Sequence, residues 1–197
     1  MNLGVTSKTG RIRAALSAIF ALLAFALFPV NAQAKEVATA SASAQATVVA
    51  PLVLVKVTDL NFGRIVPRAT AGTVTVNVNN SACITTGTII HQGACQYAEF
   101  AGMGTKKMTV RIQVPGTITL NGPAGATMVV DTITLGTAPE LSLLGGNGNG
   151  LGNGNRRYEI VSNTGIFTFR VAGRLNVNAN QRPGVYTGTF NVQVQYQ

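Results

Sequence analysis

The chain is poor in the residue types that carry enzymatic chemistry. It has no tryptophan, one histidine at position 91, and six carboxylates that stand singly along the sequence: Glu36, Asp59, Glu99, Asp131, Glu140 and Glu159. This scatter suggests no nucleophile, base and orienting group that act together. We therefore expect a protein that is not an enzyme, with no catalytic residues, no cofactor and no bound metal.

Charged residues are also scarce, at 11% of the chain. The fifteen lysines and arginines are scattered, and only Lys106–Lys107 and Arg156–Arg157 are adjacent. Because nucleic-acid binding needs a clustered basic footprint, we expect no nucleic-acid partner. Helical periodicity is missing beyond residue 34, and this absence favours an all-β fold.

The first 34 residues have the features of a secretory signal peptide. Lys8, Arg11 and Arg13 form a basic region, residues 14–28 are an uncharged apolar run, and residues 32–34 read Ala-Gln-Ala, a cleavage-site pattern. The apolar run is short for a bilayer span, although an uncleaved anchor is the alternative interpretation. We expect residues 1–34 to be removed, the mature chain to be exported, and no transmembrane segment to remain.

The expected export of the chain determines how its two cysteines, Cys83 and Cys95, are interpreted. An exported protein meets an oxidising compartment, where cysteines pair. A metal site is the rival interpretation, but the cysteines and His91 supply at most three ligands and lack the C-x-x-C spacing. We expect a Cys83–Cys95 disulfide, with His91 facing solvent in the loop that it closes.

Residues 184–197 read GVYTGTFNVQVQYQ and alternate with a period of two. Such alternation predicts a strand with one buried face. The residues expected on that face are Tyr186, Gly188, Phe190, Val192, Val194 and Tyr196.

Similar alternation predicts further strands at residues 47–57, 73–79, 108–114, 118–120, 128–135 and 167–177, the last interrupted by Gly173. Together they predict one β-sandwich domain over residues 47–197. The Gly/Asn-rich stretch 145–155 has neither the lysine of a phosphate loop nor the aspartates of calcium-binding repeats, so we expect a surface loop.

Residues 35–46 form an N-terminal extension with alanine at every even position from 38 onward: Ala38, Ala40, Ala42, Ala44 and Ala46. Alternation predicts a strand, but a stretch rich in Ala, Ser and Gln is also typical of a flexible leader. Fully extended, residues 38–50 would reach about 40 Å at ~3.3 Å per residue, comparable with the width of a small domain.

Two patterns connect the chain to a known family. One is Leu60-x-Phe62-Gly63 after the first strand, and the other is the C-terminal G-x-Y-x-G-x-F-x-V-x-V-x-Y that runs from Gly184 to the penultimate Tyr196. The chain resembles an exported bacterial domain family of unknown function that is similar to spore-coat-U and archaic chaperone–usher fimbrial subunits.

That resemblance implies an immunoglobulin-like, pilin-type sandwich completed by a strand from another subunit. It implies a homopolymer at the cell surface that serves adhesion or biofilm formation, with a periplasmic chaperone and an outer-membrane usher as partners. The assembly strand would be carried by Gly184, Tyr186, Phe190, Val192, Val194 and Tyr196, and the donor strand by the alanines at positions 38 to 46.

Two other interpretations fit the same residues. The domain is complete by itself and binds a surface ligand through its glycine-rich or cysteine loop, or the chain is a small outer-membrane β-barrel, whose strands also alternate. Few aromatic residues, 6% of the chain, and a final Gln197 disfavour the barrel.

Overall fold

The computed structural model describes residues 40–145 and 156–197. The expected signal peptide, Ala38 and all of the glycine-rich stretch except Gly145 lie outside these ranges. Within them there are thirteen strands and one short 3-10 helix, Pro123–Gly125. The strands are β1 (Val53–Thr58), β2 (Arg64–Val66), β3 (Gly72–Val76), β4 (Cys83–Thr86), β5 (Ile90–Gln92), β6 (Ala98–Met103), β7 (Thr109–Gln113), β8 (Ile118–Asn121), β9 (Thr127–Thr137), β10 (Leu141–Gly145), β11 (Arg157–Ile160), β12 (Ile166–Val177) and β13 (Gln193–Tyr196).

Sheet 1 is built around β12, its longest strand. One edge of β12 pairs with β6 along its first half and with β3 along its second half, and these strands are followed outward by β1 and β4. The other edge pairs with β9, which pairs in turn with β8. Every pairing is antiparallel, as expected for a sheet that buries only one face.

Sheet 2 has the strand order β10-β11-β7-β13, and β2 and β5 form a separate two-stranded ribbon. β13 is an edge strand, because only β7 pairs with it in the part of the chain that the structure describes. Within the same ranges no helix is long and apolar enough to cross a membrane.

Alternation buries one face of each main strand, and both sheets contribute to one core. Phe100 and Phe169 stack with ring centroids 5.3 Å apart, and Phe190 meets Phe100 edge-on at 6.3 Å. Val110, Ile112, Tyr158 and Ile160 enter the same core from sheet 2. The all-β sandwich predicted from the sequence is confirmed.

A bulge in sheet 1 explains a change of phase along β9. Met128 and Val130 are buried at even positions, whereas Ile133 is buried at an odd one. Thr132 between them has φ +49°, and the register with β12 shifts at Gly173. Gly173 lies on β12 opposite the bulge, and a Cβ there would lie 2.7 Å from Val130 Cγ1. The bulge therefore requires the glycine that interrupts the alternation of β12.

Two predictions about strands need correction. The first strand, predicted over residues 47–57, forms only from Val53, because Pro51 cannot donate to a ladder. The set of predicted strands is also incomplete, because it omits β6, which lies between β1 and β12.

Candidate functional site

An apolar groove of about 560 Å³ opens between two segments that cross sheet 1. Its floor is the inner face of β8, β9 and β12, formed by Ile118, Leu120, Met128, Val130 and Leu175. One wall is residues 59–67, and the other is residues 181–190, which lead into the edge strand β13. Leu120 is the partly exposed residue of this floor, whereas Ile118, Met128, Val130 and Leu175 are buried at its base.

The first wall is held by backbone pairing to the cysteine loop. Asn61 and Gln96 exchange two backbone hydrogen bonds of 2.9 Å each, and β2 pairs with β5. Leu60, Phe62 and Ile65 line the groove from this wall. The wall is therefore only as rigid as the loop between Cys83 and Cys95.

Cys83 and Cys95 form the predicted disulfide, with Cα atoms 5.5 Å apart. His91 is half-buried rather than facing solvent, so that prediction is wrong. Its Nε2 lies 2.7 Å from Phe62 O and 3.6 Å from Cys95 Sγ. Both sulfurs and a His91 nitrogen lie within 4.8 Å of one another, but the sulfurs are bonded to each other, so the imidazole links the disulfide to the groove wall.

The second wall contains a tight turn fixed by Tyr186. The Tyr186 hydroxyl donates to Arg182 O at 2.7 Å and accepts from Gln181 Nε2 at 2.8 Å. The Tyr186 ring packs where a Cβ at Gly122 would otherwise lie. Gly184 has φ +150° and lies against Pro123, so this position requires glycine. A tyrosine that bonds back to the preceding turn is a tyrosine corner, a feature of immunoglobulin-like sandwiches.

Alternation along the C-terminal segment is largely as predicted. Tyr186, Phe190, Val192, Val194 and Tyr196 are partly buried against the core. Gly188 is exposed rather than inward, with its backbone against Thr119 O of β8.

Pairing of that segment differs from the single strand predicted over residues 184–197. Thr187 pairs with Asn121 of β8 in sheet 1, whereas only Gln193–Tyr196 forms a ladder, with β7 in sheet 2. The segment therefore crosses from one sheet to the other.

Tyr196 makes its polar contacts within its own chain. Its hydroxyl accepts from Thr105 N at 2.9 Å and donates to Ala50 O at 3.0 Å, while Ala50 N donates to Thr105 Oγ1 at 2.7 Å. These three bonds fix the backbone at Ala50. Residues 40–49 are exposed and have no secondary structure, including four of the five predicted donor residues, Ala40, Ala42, Ala44 and Ala46.

The rim of the groove is polar, with Asp59, Arg64 and Arg182 exposed along it. Gln181 is different, because it lines the groove while only 7% exposed, and its Oε1 is buried without a hydrogen-bond partner. No pattern in the sequence singles out this residue. It stands in a polar Asn-Gln-Arg-Pro turn, where composition alone indicates a solvated side chain.

Comparison with known proteins gives one match. A family model described as "Domain of unknown function (DUF4402)" matches residues 52–196. No curated protein and no solved structure matches the chain.

Proposed function

The chain belongs to the DUF4402 family of domains of unknown function, and we propose that it is a structural subunit of a surface fimbria. In this proposal each subunit inserts an extended N-terminal segment into the groove of the next one. The interaction is β-augmentation, in which main-chain pairing supplies affinity and alternate side chains set the register.

The observation that carries the proposal is an apolar groove with one wall made by the segment that leads into an edge strand. Burying the lining residues that are still partly exposed, Leu60, Ile65 and Leu120, stabilises a complex by about 25 cal/mol per Å² removed from water. The free edge of β13 offers backbone donors and acceptors to an added strand, and an uncovered edge is an aggregation hazard for a protein that leaves it open. An added strand would both bury the apolar lining and pair with the free edge of β13.

The tyrosine corner points to the same place. In immunoglobulin-like sandwiches the strand that follows this corner is strand F, and strand G pairs with it in the same sheet. Here the strand that follows the Tyr186 corner is β13, which is the edge of sheet 2 among the described residues. A strand from a second copy would occupy the position of strand G.

We assign residues 38–46 of that second copy as the occupant. Residues 40–46 are exposed and unpaired, and the even positions of the whole stretch are apolar. An alanine methyl contributes only about 0.8 kcal/mol when buried, so most of the affinity would come from backbone hydrogen bonds. Val48 is 94% exposed and would extend the apolar face of the donor by a larger side chain.

The proposal includes export and assembly partners. A disulfide fits an oxidising compartment outside the cytoplasm. An open groove also needs protection before polymerisation, which a periplasmic chaperone would supply by occupying it until an outer-membrane usher brings the next subunit.

The test compares residues 35–197 with residues 46–197, each melted with and without a synthetic peptide of residues 35–50. We expect the peptide to raise the melting temperature of the shortened protein, and the longer protein to form ladders that resist unheated SDS. A peptide carrying Ala42→Asp is the control, because a carboxylate on the inward face should prevent binding. If both proteins melt alike as monomers and ignore the peptide, the domain is complete by itself and the alternative of a surface-ligand-binding domain takes its place.

A further inference from the structure

We propose that Gln181 Oε1 accepts a hydrogen bond from a backbone N–H of the strand that occupies the groove. This inference rests on the proposed function, since it concerns the strand docked there. It makes the groove a site that recognises a peptide main chain, in addition to an apolar surface.

The hydrogen bonds of the Gln181 amide leave its oxygen without a partner. Among the described residues Gln181 is the one buried residue with an amide or charged side chain, at 7% exposed. Its Nε2 uses both hydrogens, donating to Thr127 O at 3.2 Å and to Tyr186 OH at 2.8 Å. Exchanging the amide oxygen and nitrogen would lose the bond to Thr127 O, so Oε1 stays in place without a partner.

A buried acceptor without a partner is costly, by about 1–3 kcal/mol. Oε1 is already closed to water in the free domain, so only a group that packs directly against Gln181 can supply the donor. A hydrocarbon chain has no donor, whereas an extended peptide presents N–H groups along both edges. Gln181 therefore favours a peptide strand over a lipid or another apolar ligand of similar volume.

The acceptor is also preorganised. Tyr186 OH, which accepts from the Gln181 amide, donates in turn to Arg182 O, so a chain of hydrogen bonds holds the amide before any strand arrives. Little side-chain entropy is lost on docking when an acceptor is already fixed. The same chain explains why a glutamine that resembles a surface residue in the sequence is buried.

The test uses the peptide of residues 35–50 with one amide at a time replaced by an ester, which removes a single N–H. Binding of each peptide to residues 46–197 is measured by calorimetry for the wild type, Gln181→Met and Gln113→Met. We expect one ester position to weaken binding to the wild type about five-fold, the effect of one hydrogen bond, and to have no effect on Gln181→Met. Gln113→Met is the matched control, because it makes the same change at a glutamine of β7 that does not line the groove, and it should keep the sensitivity of the wild type.

The outcomes separate this inference from the proposed function. If the all-amide peptide does not bind the wild type, the proposed function fails. If it binds and no ester position depends on Gln181, the inference is overturned while the groove remains a peptide site. If Gln181→Met does not fold, a structure of the wild type with the peptide decides, and a peptide nitrogen farther than about 3.5 Å from Oε1 overturns the inference.

Discussion

The Tyr196 hydroxyl donates to Ala50 O across 3.0 Å, joining residues 146 positions apart in the sequence. Thr105 completes the contact by donating its N–H to the same hydroxyl at 2.9 Å and by accepting from Ala50 N through its Oγ1 at 2.7 Å. Ala50 is the point beyond which residues 40–49 are exposed and unpaired. The penultimate tyrosine thus fixes the place at which the extended segment leaves the domain.

We expect Tyr196→Phe to lower the free energy of unfolding by about 1–2 kcal/mol, because the partly buried N–H of Thr105 loses its acceptor. Limited proteolysis should also cut residues 46–52 faster, since Ala50 is released. Urea denaturation and peptide mapping measure the two effects. Tyr97→Phe is the control, because it also removes a tyrosine hydroxyl but keeps the ring, whose centroid lies 4.8 Å from Arg170 Cζ. Equal stability and equal cleavage for the two variants would show that the hydroxyl network contributes nothing.

The cysteine loop should control the groove through its wall. The double change Cys83→Ala/Cys95→Ala should lower stability by about 3 kcal/mol, as the entropic model predicts for a loop of this length. It should also weaken binding of the 35–50 peptide, because β5 and His91 hold β2 and Phe62 in place. Calorimetry should give the same weakened peptide affinity for the double variant and for the reduced wild type. Unchanged peptide affinity in both proteins would show that the cysteine loop does not control the groove.

Gly102 has no room for a side chain, because a Cβ there would collide with the ring of the fully buried Phe167 on the neighbouring strand. We expect Gly102→Ala to destabilise by about 1–3 kcal/mol, the usual cost of overpacking. Adding Phe167→Leu should recover part of that loss, so the double variant should be more stable than the sum of the single changes predicts. Strictly additive losses in urea denaturation would argue against the collision.

Asp131 should make stability depend on pH in acid. Hydrogen bonds from Arg174, then from Asn176 and Thr132, lower the pKa of Asp131 from 3.8 to about 2 against the opposing effect of burial. Because the pKa is lowered on folding, the stabilisation is complete above about pH 4 and is lost as pH falls towards 2. Both partners are partly exposed, so we expect Asp131→Asn to cost only about 1 kcal/mol at pH 7 after solvent screening.

The measurement is urea unfolding of the wild type and Asp131→Asn at steps between pH 2 and pH 7. The difference between the two proteins should shrink below pH 4. Parallel curves over the whole range would mean that the Arg174 pair contributes no pH-dependent stability.

The sequence predicts the strands whose inner faces are large and branched. β3, β7 and β12 alternate Val, Ile or Phe with polar residues, and period two identifies them without further information. Alternation does not identify β6, because its inner face consists of Ala98, Phe100 and Gly102. The space at this glycine is filled by Phe167 from another strand. Complementary packing of this kind is a property of two strands, so neither sequence alone reveals it.

The groove is not predictable for a related reason. Its floor comes from three strands, and its walls come from segments more than 110 residues apart in the chain. Alternation correctly indicates which side chains of the C-terminal segment turn inward, but it does not state which sheet they join. The crossing at Thr187 is therefore a result of the tertiary structure alone.

That crossing has a mechanical consequence. Thr187 is tied to Asn121 of sheet 1 by two backbone hydrogen bonds of 2.7 and 3.0 Å, and β13 is tied to β7 of sheet 2. A pull along this segment loads both sets of bonds in shear, so they bear the force together and must break together. A pull across β13 peels its ladder one bond at a time. Tension directed along the C-terminal segment therefore meets more resistance than tension directed across β13.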